Sequence, residues 1–171
     1  MALLSGCAVM APNYTPTVES FQLIKNSHAS QVSVDKATAA KPELNRVILR
    51  ASPLKSPYGD FSSYIEQALK KELSDVGLLD EKSNIVIGIM LTKNNIDPAI
   101  AHGTGDLAAV FSVTKTGTKV YEREITAHKE WLSSFIAAYA IPNAVNAYPQ
   151  MVNDLITNLF HDPDFITAIS N

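Results

Sequence analysis

A single cysteine, Cys7, closes the run Leu4-Ser5-Gly6-Cys7 near the start of the chain. Small residues before a cysteine, preceded by Leu, are what bacterial lipoprotein peptidase and acyltransferases read. Those enzymes need an extended, unhindered backbone and a free thiol to carry a diacylglycerol. The expected chemistry is therefore lipidation of Cys7, which would tether the chain to an envelope membrane and face it toward an oxidising compartment. Only Met1-Ala2-Leu3-Leu4 precede the small residues, without Lys or Arg. A secretory signal carries a basic region and about 7–15 apolar residues there, so residues 1–7 read as the truncated end of such a signal. Ala8 follows the cysteine where an aspartate would retain a lipoprotein on the inner membrane of enteric bacteria, which favours the outer membrane, periplasm-facing.

The other reactive side chains do not converge. His28, His102, His128 and His161 are scattered, and none is spaced i, i+4 with another on a helix. A zinc site wants three or four converging ligands and a supporting outer shell, so solvated histidines are expected and no metal. Gly103-Thr104-Gly105-Asp106 lacks the third glycine and the helix start of a phosphate cradle; it reads as a flexible inter-strand loop. Ser133-Ser134, beside Trp131 and Phe135, sits in no nucleophile elbow and has no visible base or oxyanion hole. Acidic pairs such as Asp80/Glu81 and Asp162/Asp164 fall where helix capping explains them. No catalytic residue and no cofactor is assigned. The remaining candidate is Trp131 to Pro142 (WLSSFIAAYAIP), which is apolar, aromatic and free of charge. It reads either as a buried crossover or as a partner or ligand surface built on Trp131, Phe135, Tyr139 and Ile141, since aromatic anchors dominate interface energetics.

The elements that position these residues follow from periodicity. Ala8 to Thr17 (AVMAPNYTPT) holds two prolines and no apolar period, and reads as a linker. Phe21–Ile24 and Gln31–Val34 are β-compatible pieces, and Arg46–Arg50 reads as a strand. Phe61, Ile65, Ala68, Leu69, Leu73 and Val76 form a helical stripe. Asp60 or Ser62/Ser63 can cap it, Ser63 with Glu66 fits a capping box, and Gly77 terminates it. Three strands are expected at Ile85–Lys93, Leu107–Lys115 and Lys119–Ala127, with a loop over Asn94–Asp106 and a turn at Thr116-Gly117-Thr118. A second long helix is expected from about Ile141 to Phe160, with Pro142 in its first turn and a kink or break at Pro149. Asp164 would cap a last short helix. The expectation is an α+β fold: a mainly antiparallel sheet with two long helices packed on one face, and a lipidated N-terminal tether. Residues 1–7 would be signal, 8–20 flexible linker and 21–171 a single domain.

Composition bounds the function. With 171 residues, 46% hydrophobic and 18% charged, one domain with a sizeable core is expected. A net charge of −3 without a basic cluster argues against a nucleic-acid partner. No run reaches the roughly 18 apolar residues of a membrane span, so membrane contact is expected through the lipid.

Several pieces together resemble a known family. They are Cys7 in its small-residue run, the Phe61–Gly77 helix, Gly105–Val113 (GDLAAVFSV) and Tyr121-Glu122. Trp131-Leu132-Ser133-Ser134-Phe135, Ala140-Ile141-Pro142 and Leu159–Phe165 (LFHDPDF) complete the set. Over residues 45–169 the chain resembles Gram-negative lipoproteins of unknown function, some labelled UDP-N-acetylglucosamine acyltransferase. That enzyme is a left-handed β-helix of hexapeptide repeats, and this chain has none, so the label is rejected. The helix-plus-meander order is more distantly similar to YajG-like lipoproteins and to auxiliary lipoproteins of envelope ABC transporters. The resemblance implies a non-catalytic periplasmic subunit on the outer membrane with protein partners in the envelope. The alternatives are a carrier of a lipid or other apolar ligand and, trailing, a hydrolase or transferase.

Overall fold

The structure, a computed structural model, describes residues 8–170. The signal read over residues 1–7, Cys7 included, lies outside the described residues. The elements in order are Val9–Met10 (β1), Val18–Lys25 (α1), Ser33–Val34 (β2), Thr38–Ala39 (β3), a 3-10 turn at Pro42–Asn45, Val47–Leu49 (β4), Ser52–Lys55 (β5), Phe61–Asp75 (α2), Ile85–Asp97 (β6), His102–Lys115 (β7), Thr118–Leu132 (β8), Ala137–His161 (α3) and Pro163–Ile169 (α4).

Three long antiparallel strands, β6, β7 and β8, make the frame. Ile87, Val113 and Tyr121 share one rung of the ladder, and Leu91, Ala109 and Ile125 another. All six are buried, because alternate side chains of a strand point to one face. That inner face meets α2 and α3, whose own stripes (Ile65, Leu69 and Leu73; Tyr148, Val152, Leu155 and Leu159) are inaccessible to solvent. Tyr64, Phe61 and Tyr148 interlock where the two helices meet, with ring centroids 4.8–5.2 Å apart. The opposite face of the sheet carries Glu122, Glu124, Thr126 and His128, all exposed.

The coarse expectation of a sheet core with helices holds, and the long strands pair antiparallel, but the sheets are mixed rather than purely antiparallel. β2 and β3 pair in parallel with β6, and β1 pairs in parallel with β5 in a separate three-stranded sheet ordered β1-β5-β4. β2 lies inside the β-compatible piece Gln31–Val34, whereas the two-residue β1 and β3 leave no alternation to read. The expected loop over 94–106 is mostly strand, shortened to a turn at Pro98–Ala101. A register shift between Leu91 and Lys93 reverses the alternation of β6, so its later half does not continue the pattern of its first.

Residues 8–20 are not a free linker in the described structure. Ala11 and Tyr14 are buried, the Ala11 amide donates to Lys55 O at 2.8 Å, and Tyr64 Oη donates to Pro12 O at 2.7 Å. Phe21–Ile24, read as β-compatible, lies inside α1. Thr17 and Ser20 form a reciprocal capping box there, and side-chain–backbone bonds of this kind specify a helix start that a four-residue apolar piece cannot.

The helix ends follow local chemistry. Asp60 caps α2 by accepting the Ser63 amide at 2.7 Å, and Asn45 Oδ1 accepts the amides of Phe61 and Ser62. Gly77, at φ +74°, takes the left-handed turn after the helix. α3 starts at Ala137 rather than Ile141, so Pro142 is inside it, and the helix runs through Pro149 without a break. Asp162, not Asp164, caps α4.

Candidate functional site

At one pole of the sheet three connections meet: the β4–β5 turn, the β6–β7 turn and the loop between β8 and α3. The first holds Arg50 at φ +47° and Ala51 at φ +73°, and the second holds Ala101 at φ +75°. L-residues rarely adopt these conformations, so the turns need outside support, and Arg50 supplies it. Its guanidinium donates from Nε and Nη2 to Pro98 O at 3.0 and 2.7 Å, from Nη2 to Ser134 O at 2.7 Å, and from Nη1 to Phe135 O at 3.0 Å. The Ser133 amide adds a bond to Ala101 O at 2.9 Å. One planar fork of five donors thus joins three segments far apart in sequence.

With the backbone satisfied, the side chains at this pole turn outward. Ile48 is 63% exposed, Ile100 66%, Leu132 73%, Phe135 78%, Ile136 55% and Tyr139 64%. Ile48, Arg50, Ile96, Asp97, Ile100 and Phe135 line a shallow concavity of about 510 Å³. Contiguous exposed apolar side chains mark contact surfaces, because isolated ones suffice to explain an ordinary soluble exterior.

Of the four residues singled out from sequence, Phe135 and Tyr139 belong to this surface. Trp131 and Ile141 do not: both are half-buried and pack against the core. The reason for Trp131 is the glycine pair. A Cβ at Gly103 would run into the indole, and one at Gly105 would run into Met151. Gly103-Thr104-Gly105 is therefore a strand seat for the indole and Met151, not a flexible loop. Ile48, Arg50 and Ile100 complete the surface from distant parts of the chain. The left-handed turn and Arg50's partners exist only in the folded state, so no local pattern marks them.

The titratable groups elsewhere serve structure. On the open face of the sheet His128 Nδ1 bonds Asp106 Oδ1 at 2.8 Å, and Lys93 Nζ lies 3.3 Å from Asp106 Oδ2. The bond to His128 holds the Asp106 carboxyl below the usual carboxylate range, and the same bond raises the His128 imidazole. The pair is solvated on an open surface with no hydroxyl nucleophile bonded to it. Glu72 is fully buried in α2, where its Oε1 accepts Tyr14 Oη at 2.5 Å and Ser20 Oγ at 2.7 Å. Burial pushes its carboxyl upward. These bonds lash the N-terminal segment and α1 to α2. Ser134 Oγ accepts the Ile136 amide, a turn contact rather than activation by a base. Among the described residues no group of three His, Cys, Asp or Glu could hold a metal ion, and no helix is long and apolar enough to cross a membrane.

No family model and no curated protein matches the chain. Solved structures do. Protein XCC0632 of Xanthomonas campestris, assigned to the family model DUF330, aligns at a TM-score of 0.63 with 16% identity, over 90% of this chain and 92% of that one. The hypothetical protein CT253 of Chlamydia trachomatis aligns at 0.53 with 8% identity, over 82% of this chain and 99% of that one. A minor lipoprotein of Acinetobacter baumannii aligns at 0.46 with 13% identity, over 80% and 93%. At such identities the first two likenesses establish a shared fold, spanning nearly the whole of each chain.

Proposed function

We propose that the chain is a lipid-anchored, non-catalytic accessory subunit of a bacterial envelope assembly, held at the outer membrane through Cys7 and contacting a protein partner along its sheet edge. The observation that carries the binding role is β8. It has fifteen residues, pairs among the described residues only with β7, and presents Val120, Glu122, Glu124 and Glu130 to solvent. A strand paired on one side offers backbone donors and acceptors to an incoming strand. α3 already donates to Thr126 O and Leu132 O through Asn158 and Asn143, so the stretch around Val120–Glu124 is the part proposed to receive it. The Leu-Ser-Gly-Cys run supports the anchor, and Ala8 in place of aspartate favours the outer membrane.

The non-catalytic reading is supported by where the reactive groups are spent. Glu72 and Asp162 satisfy buried donors and a helix cap, and the Asp106–His128 pair lies on an open face. The carrier reading finds little room between sheet and helices, where Phe61, Tyr64, Phe111, Tyr148 and Met151 are fully packed.

The test is a detergent pull-down of the lipidated protein from envelope membranes beside a Cys7→Ala control, with photo-crosslinkers placed at Val120 and Glu124. A stoichiometric protein crosslinked through β8 is expected. Solvent-extractable lipid recovered without any protein would overturn the subunit reading in favour of a carrier.

A further inference from the structure

The apolar pole and the start of the described chain lie at the same end of the molecule. β1 runs parallel to β5, with Val9 opposite Leu54 and Met10 opposite Lys55. Traced backward from Val9, the chain heads along β5 toward Ser52 and the Arg50–Ala51 turn, which Arg50 binds to Pro98, Ser134 and Phe135. Cys7 precedes Val9 by two residues, and two residues of chain span at most about 7 Å. From Leu54 to Ala51 is three residues, roughly 10 Å of strand. A lipid carried by Cys7 would therefore enter a bilayer within a short reach of the exposed Ile48, Ile100, Phe135 and Ile136.

We infer that this pole is a membrane-seated surface: it rests at the headgroup–acyl boundary of the bilayer holding the anchor, with β6, β7 and β8 rising away from it. The inference rests on the reading that Cys7 is lipidated. The chemistry of the surface agrees with such a seat. From Trp131 to Pro142 there is no Asp, Glu, Lys or Arg, so no charge in that stretch must be stripped of water to enter the interface. Tyr139 has an apolar ring with a polar tip, the combination that favours the membrane–water boundary. Arg50 leaves a cationic group at the same pole, next to the one carboxylate of the concavity, Asp97. The far pole has the opposite character: the Thr116–Gly117 turn is flanked by Lys115, Lys119 and Glu122. Strands of thirteen to fifteen residues separate the two poles, so the molecule has an apolar foot and a charged head. Such a foot adds no new tether; it gives a protein already held by lipid a fixed orientation, which leaves the β8 edge upright and accessible.

The experiment uses the full lipidated chain reconstituted into vesicles of phosphatidylethanolamine and phosphatidylglycerol. An environment-sensitive fluorophore is attached at Ala99→Cys or Ala138→Cys, both exposed at the foot, and at Lys119→Cys on the head. The thioether to diacylglycerol blocks the native thiol, and mass spectrometry of the N-terminal peptide reports its state. Quenching by bilayer-confined brominated lipid is expected to be at least several-fold greater at 99 and 138 than at 119. Adding Ile100→Glu and Phe135→Glu together, with melting monitored to show that the variant folds, should remove that difference. Equal quenching at all three sites on an acylated chain would overturn the membrane seat alone and return the surface to a protein partner. An unmodified Cys7 in chain purified from envelope membranes would overturn the anchor reading, and the membrane seat with it.

Discussion

At Gly103 the β7 backbone runs so close beneath the Trp131 indole that any side chain would collide with it. Small-to-large changes of this kind in a packed site cost about 1–3 kcal/mol. Gly103→Ala should therefore lower the melting temperature by several degrees and shift the emission of Trp131, the sole tryptophan, as the ring is displaced. An unchanged emission spectrum would show that the indole does not lie on this glycine. Gly-Thr-Gly is also where sequence reasoning misleads. Glycine is a local signal for loops, and only a partner twenty-eight residues away explains it as a seat. The uncharged stretch from Trp131 to Pro142 left burial and exposure both open, and the structure divides it, with Phe135 and Tyr139 outside and Trp131 and Ile141 packed on the core. Arg50 gave no signal, since all its partners are carbonyls on other segments. Glu72 gives a second residue-level test. Its carboxyl is raised by burial, so proton binding favours the folded state. The sign follows: this group's contribution is most favourable below the ordinary carboxylate range and is lost as pH rises through the folded value. Glu72→Gln keeps an oxygen to accept from Tyr14 and Ser20. It should melt above the wild type at pH 7–8 and lose that advantage near about pH 4. A difference that does not change with pH would mean that Glu72 does not titrate between the two states in this range.

The junction of α3 and α4 shows how one side chain can set two elements. Asp162 Oδ1 accepts the Asp164 amide at 3.0 Å, while Oδ2 accepts Tyr121 Oη and Arg123 Nη1, each at 2.7 Å. Burial raises its carboxyl, but these donors outweigh it and the net displacement is downward. Its stabilisation is therefore present above the unfolded pKa and lost as pH falls through the folded one. Asp162→Ala should cost at least the ~0.5–2 kcal/mol of an N-cap, and its deficit against wild type should shrink under acid. Thermal melts at pH 7 and pH 3 would show both; a deficit that grows in acid would refute the assignment. Asp162-Pro163-Asp164-Phe165 is thus a physical unit of cap, first-turn proline, first-turn acid and buried aromatic. The short helix was readable because these parts act locally, but its cap was misplaced by two residues, on Asp164 instead of Asp162. The α2 stripe was legible because a helical period held over fifteen residues survives its context. The strands were legible over the nine residues of each that hold an apolar pattern, but not where β6 and β7 extend through 94–97 and 102–106. Gln31–Val34 was readable as a β piece and contains β2, but β1 and β3 were not readable, as two residues in parallel pairing depend wholly on the strand that receives them. The Arg50 clamp belongs to this scale too. Arg50→Ala leaves Pro98, Ser134 and Phe135 carbonyls without their donor, so amide exchange should rise in residues 98–101 and 133–136 while β7 and α3 stay protected. Uniform loss of protection would instead mark Arg50 as part of the global core.

Across the whole molecule the question is where the domain begins. A cysteine read as a lipid anchor invites the division into tether and body, with the body starting near residue 21. The described structure ties residues 9–25 into the body at several points: β1 on β5, Pro12 O under Tyr64, Tyr14 and Ser20 on Glu72, and Ile24 with no exposed surface. Fully burying a large aliphatic or aromatic side chain is worth about 1.5–3 kcal/mol. Tyr14 and Ile24 with the smaller contributions of Ala11 and Val9 therefore amount to a sizeable part of the 5–15 kcal/mol typical of a domain. Removal would also take away both donors to Glu72, Tyr14 Oη and Ser20 Oγ. A chain beginning at Asn26 should consequently lose cooperative unfolding or melt far below the full chain, while one beginning at Ala8 should melt with it. Comparable melting of both would restore residues 8–25 to the role of tether. The same continuity matters for the membrane seat. If the segment after Cys7 is part of the rigid body from Val9 onward, the anchor cannot swivel freely beneath the domain. On the proposal that Cys7 carries lipid, the apolar pole would then be held toward the bilayer by the chain itself.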